Sequence, residues 1–182
     1  MIDSDNIHPV QKWPERNPLD LVPVISSYVK DKVVCDIGCG AGDLLYEMRR
    51  LGLTDDIIGI ENDRWVHQAI KEFEIDDREF LINADFTSMD IPEADVYLIW
   101  EGFVHYHGII HRLPKSCLVI DFSQGGDGHN SIMTHRLNQL EKIEYDYDES
   151  KYENKGTLKD AHSPDWKQIG KRTITIYEMK KD

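Results

Sequence analysis

The sequence predicts an α/β protein with a doubly wound, mostly parallel sheet of about seven strands and a C-terminal antiparallel β-hairpin. Three observations lead there. Five short apolar runs alternate with segments whose apolar residues recur at helical spacing, the pattern of βαβ units. Two later β-like runs follow with no helix-sized apolar pattern between them. Finally, VVCDIGCGAGD over residues 33–43 sets three glycines at alternate positions directly behind the first apolar run. That is the strand-to-helix turn where open α/β sheets receive ligands.

Each element has its own reason. Residues 1–18, with Pro9, Pro14 and Pro18, read as an irregular lead. Leu19 to Val29 carries apolar residues at helical spacing and is expected to cover the sheet. Lys32 to Ile37 is the first buried strand; Gly42 to Leu51 is a helix with Leu44, Leu45 and Met48 on one face, stopped by Gly52. Asp56 to Glu61 is the second strand, a helix follows from about Arg64 to Phe73, and Arg78 to Asn83 is the third strand. The fourth, Ala94 to Trp100 (ADVYLIW), is almost wholly apolar, as a strand covered on both faces must be. Phe103 to Leu113 reads as helical and Ser116 to Phe122 as the fifth strand. Ile143 to Tyr147 and Arg172 to Met179 form the hairpin, and the polar, glycine-containing stretch over 148–170 reads as a long mobile loop.

Length and composition bound the function classes. A chain of 182 residues is expected to form one domain over 1–182, without disulfide staples. No apolar run is long enough to span a bilayer, and MIDSDNIHPVQKWPERNP lacks a basic, then apolar, leader pattern, so a cytoplasmic protein without membrane association is expected. Cys35, Cys39 and Cys117 leave an odd count, against a disulfide framework. Cys35 and Cys39 have C-x3-C spacing, yet no second Cys or His pair completes a tetrahedral zinc site. The net charge of −13, with no large Lys/Arg cluster, speaks against a nucleic-acid partner and for a small molecule or a basic protein segment.

The glycine loop discriminates among ligands. Gly38-x-Gly40-x-Gly42 is followed by Asp43, where a G-x-G-x-x-G dinucleotide turn needs glycine. Carboxylates at Asp36 and Asp43 would also repel a pyrophosphate arriving at the helix N-terminus. An NAD-type oxidoreductase is thereby disfavoured. A nucleoside carrying an ammonium and a sulfonium would instead be attracted, and S-adenosylmethionine is such a ligand.

At these residues the sequence resembles the class I S-adenosylmethionine-dependent methyltransferases, over roughly Leu21 to Phe122 and the terminal hairpin. VVCDIGCGAG is similar to the family's first motif. GIEND sets Glu61 nineteen residues after Gly42, where the family has an acidic residue accepting from both ribose hydroxyls. NADF is similar to the adenine motif, which implies that Asp85 accepts from the exocyclic amine and the backbone at Phe86 meets the ring edge. ADVYLIW corresponds to the fourth strand, whose end faces the transferred methyl group. The resemblance implies a Rossmann-like methyltransferase fold and a cofactor set of Asp36, Gly38, Cys39, Gly40, Gly42, Glu61, Asn62, Asp85, Phe86 and Trp100. Taken singly, Asp36 and Glu61 also read as exposed strand-end carboxylates, Asp85 as a turn residue and the glycines as turn chemistry. Together, in order and spacing, they favour the cofactor.

The methyl acceptor is less legible. Transfer from a sulfonium asks the protein mainly to orient and desolvate a nucleophile. The fourth strand ends in WEGF, not the (D/N)-P-P-(Y/F) of many amino-methylating relatives, which lowers nucleobase and tRNA acceptors. GIENDRW and DIPEADVYLIW have a finer, short resemblance to small protein-lysine methyltransferases. Trp100 and Glu101 are candidates to line the acceptor site, because an aromatic face plus a carboxylate suits an amine; core and loop roles are the alternative. His105, His107 and His111 have H-x-H-x3-H spacing without the companion carboxylate of a helical metal site; His105 is a candidate general base. The loop Ser123 to His129 opens on the same sheet edge. The expected acceptor is therefore a protein lysine or other amine, with a small-molecule methyltransferase or a catalytically silent S-adenosylmethionine-binding protein as alternatives.

Overall fold

A strand buried on both faces must be apolar at nearly every position. In the computed structural model, which describes residues 18–62, 64, 67, 71, 78–99, 107–122, 136–148 and 169–180, four parallel strands meet that condition. They are β1 (Val34–Ile37), β2 (Ile57–Glu61), β4 (Val96–Ile99) and β5 (Leu118–Asp121); the shorter β3 (Leu81–Asn83) lies at the sheet's edge. With β6 (Leu137–Asp148) and β7 (Ile169–Met179) they form a seven-stranded sheet in the order β3-β2-β1-β4-β5-β7-β6. The first five are parallel and β7 runs antiparallel to both β5 and β6. The strand order reverses between β1 and β4, and open α/β sheets bind ligands at that switch point.

Side-chain alternation along the strands divides the core into two layers. Val34, Ile57, Val96, Leu98 and Ile120 pack with Leu21, Val22 and Ile25 of α1 (Pro18–Val29) and with Leu44, Leu45 and Met48 of α2 (Asp43–Arg50). On the other face Cys35, Ile37, Tyr97, Ile99 and Val119 pack with Ile109 and Ile110 of the short α3 (His107–Ile110). Helix α2 stops as Gly52 predicts: Gly52, at φ 66°, donates its N–H to the Arg49 carbonyl (2.9 Å), and Leu53 donates to the Met48 carbonyl (3.0 Å). This pair of bonds is the Schellman closure, which needs a left-handed residue at that position.

Several boundaries differ from the sequence reading. β6 begins at Leu137, well before Ile143, because pairing with β7 carries it through a polar stretch with a bulge between Gln139 and Glu141. At the edge of a sheet such a stretch needs no apolar alternation. Asp148, Ile169 and Gly170, read as loop, are strand residues paired across the hairpin, while 149–168 lies outside the described residues, as do the lead over 1–17 and the loop over 123–129. Of the helix expected over Phe103 to Leu113, 103–106 lies outside the described residues and His107–Ile110 is helical; Arg112 and Leu113 turn back onto the Ile109 carbonyl at 2.7 and 3.2 Å, so His107 and His111 do not share one helix. Arg64, His67 and Lys71 are helical, in agreement with the helix expected from about 64 to 73. Among the described residues no helix is long and apolar enough to cross a membrane.

The cysteines are core residues. Cys35 and Cys39 belong to the layers on opposite faces of the sheet, so the C-x3-C pair cannot grip one ion. Burial, aided by the charge of Asp36 beside it, pushes the Cys35 thiol from 9.0 up to about 12, and burial does the same to Cys117. The folded state therefore keeps protons that the unfolded chain loses, so this contribution to stability is intact below pH 9 and lost as pH rises toward 12. Neither thiol is expected to react with a disulfide reagent at pH 8 until denaturant is added, which timed alkylation and mass spectrometry check.

Candidate functional site

The three glycines each take a backbone conformation that a side chain resists. Gly38, Gly40 and Gly42 have φ of 76°, 57° and 75°, in the left-handed region. The loop they form wraps over the end of β2: Gly38 and Cys39 donate to the Ile60 carbonyl at 2.8 and 3.2 Å, and the Gly40 N–H donates to Glu61 Oε2 at 2.9 Å. Gly42 is required twice over. A Cβ there would stand 2.7 Å from Phe80 Cε2 and 3.0 Å from Leu81 Cδ2, so the core layer under the loop occupies the place of a side chain. The Cys39 side chain likewise faces the core, since a Cβ on Gly59 would lie 2.7 Å from its Sγ; only its backbone borders the loop surface.

The strand-end carboxylates are buried, not exposed. Asp36 is 1% and Glu61 9% accessible, and both lie on the α1/α2 face, because Asp36 pairs in register with Gly59 and both strands alternate. The Glu61 carbonyl accepts from the Ala84 N–H at 3.2 Å and from His67 Nε2 at 2.8 Å, which requires the proton on Nε2. Asn62, next along, is exposed. Past β3, Asp85 forms a capped turn: its Oδ1 accepts from the Thr87 N–H (2.8 Å) and the Thr87 hydroxyl (2.7 Å), and its carbonyl accepts from Ser88 and Met89. The Thr87 hydroxyl, then its amide, hold the Asp85 carboxyl below its ordinary 3.8 by bonding its charged form. Phe86, after it, packs on the second core layer.

Three residues of this site are absent from the sequence reading. Arg78, ahead of β3, donates Nε to the Ala41 carbonyl (2.9 Å) and Nη2 to Asp43 Oδ1 (3.0 Å), with its guanidinium 4.2 Å from the Tyr46 ring centroid. Asp43 is thus engaged in holding the loop from behind. Arg112 donates to the Phe86 and Thr87 carbonyls. Asp121, 3% accessible, ends β5 in register with Ile99 of β4 and Thr175 of β7. The first two make contacts across long sequence separations that no local motif announces. The Asp121 signal was available: LVIDF places an acid at the end of an apolar run, as VVCDIG does.

Buried carboxylates beside a left-handed glycine turn, with a capped acidic turn one strand farther out, fit a nucleoside with a cationic tail. Residues 29–144 match the family model described as a methyltransferase domain. The chain belongs to that family. It is an S-adenosylmethionine-dependent methyltransferase, and it carries the family's seven-stranded mixed sheet.

Solved structures share this methyltransferase's fold at low identity. The N-methyltransferase NodS from Bradyrhizobium japonicum, in complex with S-adenosyl-L-homocysteine, is 11% identical, with 99% of this chain and 94% of that one covered and a TM-score of 0.58. A proposed RNA methyltransferase from Pyrococcus horikoshii is 16% identical over 90% and 82%, TM-score 0.58. A precorrin-6y C5,15-methyltransferase from Geobacter metallireducens is 14% identical over 88% and 86%, TM-score 0.51. No curated protein matches the sequence. Of the candidate residues, Trp100, Glu101 and His105 lie outside the described residues of the methyltransferase.

Proposed function

We propose that this methyltransferase transfers the methyl group to an amine, a protein lysine or another amine. Asp36, Gly38, Gly40, Gly42, Glu61, Asn62, Asp85 and Phe86, with the backbone of Cys39 and with Trp100, hold the cofactor. The carrying observation is the row of buried carboxylates at or near the carboxyl ends of β1, β2 and β5. Carboxylates gathered at one sheet edge set up a negative field there, which favours a cationic or amine ligand. Asp36 suits the cationic amino-acid end of the cofactor, Glu61 the ribose hydroxyls and Asp85 the adenine amine. Asp121, beside the end of β4, suits an amine acceptor, and the net charge of −13 favours a basic partner over a nucleic acid.

The bound cofactor supplies an electrophilic methyl group on a sulfonium. The protein's part is to strip water from the acceptor nitrogen, align it opposite the sulfur and take the proton that an ammonium must lose. Trp100 and Glu101 are proposed to line that acceptor site, and His105 to serve as the base. Incubation with methyl-labelled cofactor and fractionated lysate tests the reading. Label is expected on lysine or another amine nitrogen, in protein or small metabolites; label recovered in nucleic acid, or on oxygen or carbon, would sink it.

A further inference from the structure

We infer that Arg112 is a positioning residue for adenine recognition. It aims the Asp85 carboxylate by gripping the peptide unit that Asp85 itself holds. The inference rests on the proposed placement of adenine at Asp85 and Phe86.

The geometry is a chain of three polar groups. Arg112 Nη1 donates to the Phe86 carbonyl at 2.8 Å and to the Thr87 carbonyl at 3.2 Å. The Phe86 carbonyl belongs to the same peptide plane as the Thr87 N–H, and that N–H donates to Asp85 Oδ1 at 2.8 Å. One peptide is therefore held at both ends, by a guanidinium on its oxygen and by a carboxylate on its nitrogen. A cation on the oxygen polarises the peptide and strengthens the bond that its N–H makes. The Thr87 hydroxyl binds the same Oδ1 at 2.7 Å, so the turn occupies one carboxylate oxygen and fixes the direction of the other. That second oxygen is the one available to accept from an exocyclic amine.

The anchor of Arg112 explains why it can aim anything. Its own N–H closes a turn on the Ile109 carbonyl at 2.7 Å, and Ile109, Ile110 and Leu113 are buried in the core layer against which Phe86, Met89 and Ile91 pack. The guanidinium thus springs from a fixed base, while the turn it holds is exposed at Asp85, Thr87 and Ser88. An exposed carbonyl finds water readily when its partner is removed, so losing this grip costs the fold little and costs the turn its orientation.

A comparison of bases in the full chain tests this. Calorimetry would measure S-adenosylhomocysteine and S-inosylhomocysteine, whose amine is replaced by a carbonyl, on the native protein and on Arg112→Met, Arg112→Lys and Asp85→Asn. Arg112→Met is expected to reduce the preference for the adenine form about tenfold, the size of one charge-assisted hydrogen bond. Asp85→Asn should reduce it at least as far, the double variant no further than Asp85→Asn, and Arg112→Lys should keep most of it. If Arg112→Met weakens both ligands equally while Asp85→Asn lowers the preference, Arg112 is merely structural and the inference falls alone. If Asp85→Asn leaves the preference unchanged, adenine does not sit at this turn and both readings fall. Should Arg112→Met not fold, loss of the preference in Arg112→Lys decides against the inference, because the lysine still donates to the carbonyls.

Discussion

Replacing Gly42 with alanine is expected to destabilise the protein by about 3 kcal/mol, although position 42 is on the loop and not in the core. Two costs add. A non-glycine residue in the left-handed region costs about 1–2 kcal/mol, and φ at Gly42 is 75°. The new Cβ would also stand 2.7 Å from Phe80 Cε2 and 3.0 Å from Leu81 Cδ2, and overpacking a well-filled layer costs about 1–3 kcal/mol. Phe80 cannot move aside freely, because it is buried and the Arg49 and Arg78 guanidinium groups lie 5.2 and 6.0 Å from its ring centroid. A double-mutant cycle with Phe80→Leu in urea separates the two terms: a favourable coupling of about 1–2 kcal/mol is expected. Zero coupling would show that the backbone conformation alone makes glycine necessary. At Gly52, where φ is 66° but nothing lies within 4 Å of the missing Cβ, alanine should cost only the backbone term of about 1–2 kcal/mol.

This difference between Gly42 and Gly52 also marks how far the sequence could be read. That glycines at 38, 40 and 42 sit on a strand-to-helix turn follows from spacing, because the apolar run before them and the periodic segment after them are local patterns. What meets the third glycine does not follow, since Phe80 is 38 positions away and arrives by way of the sheet order. The same holds for the arginines. Asp36, Glu61 and Asp85 are legible because each ends or follows a strand and because their order matches a known family. Arg78 and Arg112 hold the loops that carry those acids through bonds to backbone carbonyls, and a carbonyl has no sequence identity. The first half of β6 was hidden for a different reason: Asn138 to Lys142 are exposed, so pairing with β7 and not burial makes them a strand.

Glu61 is expected to show the largest effect on ligand binding, and its two variants should separate the observed role of its carboxylate in the loop from its proposed role at the ribose. Its Oε2 accepts the Gly40 N–H at 2.9 Å in a buried setting. Alanine would leave that N–H without its acceptor, at about 1–3 kcal/mol of stability. It would also remove the group proposed to receive the ribose hydroxyls. A carboxylate taking two such bonds at about 1.5–3 kcal/mol each predicts at least about a hundredfold loss of S-adenosylhomocysteine affinity for Glu61→Ala. Glutamine has the same shape but one acceptor. With its oxygen turned to Gly40 it keeps the loop bond, and its NH2 then faces the ribose, where it can accept nothing. Glu61→Gln should therefore unfold within about 1 kcal/mol of the native protein while binding about tenfold or more weakly. Calorimetry and urea titration on the same samples check both halves. If Glu61→Gln binds as tightly as the native protein, Glu61 only braces the glycine loop and the ribose must be held elsewhere. If its stability falls as far as that of Glu61→Ala while its affinity is kept, the carboxylate charge serves the loop and not the ligand.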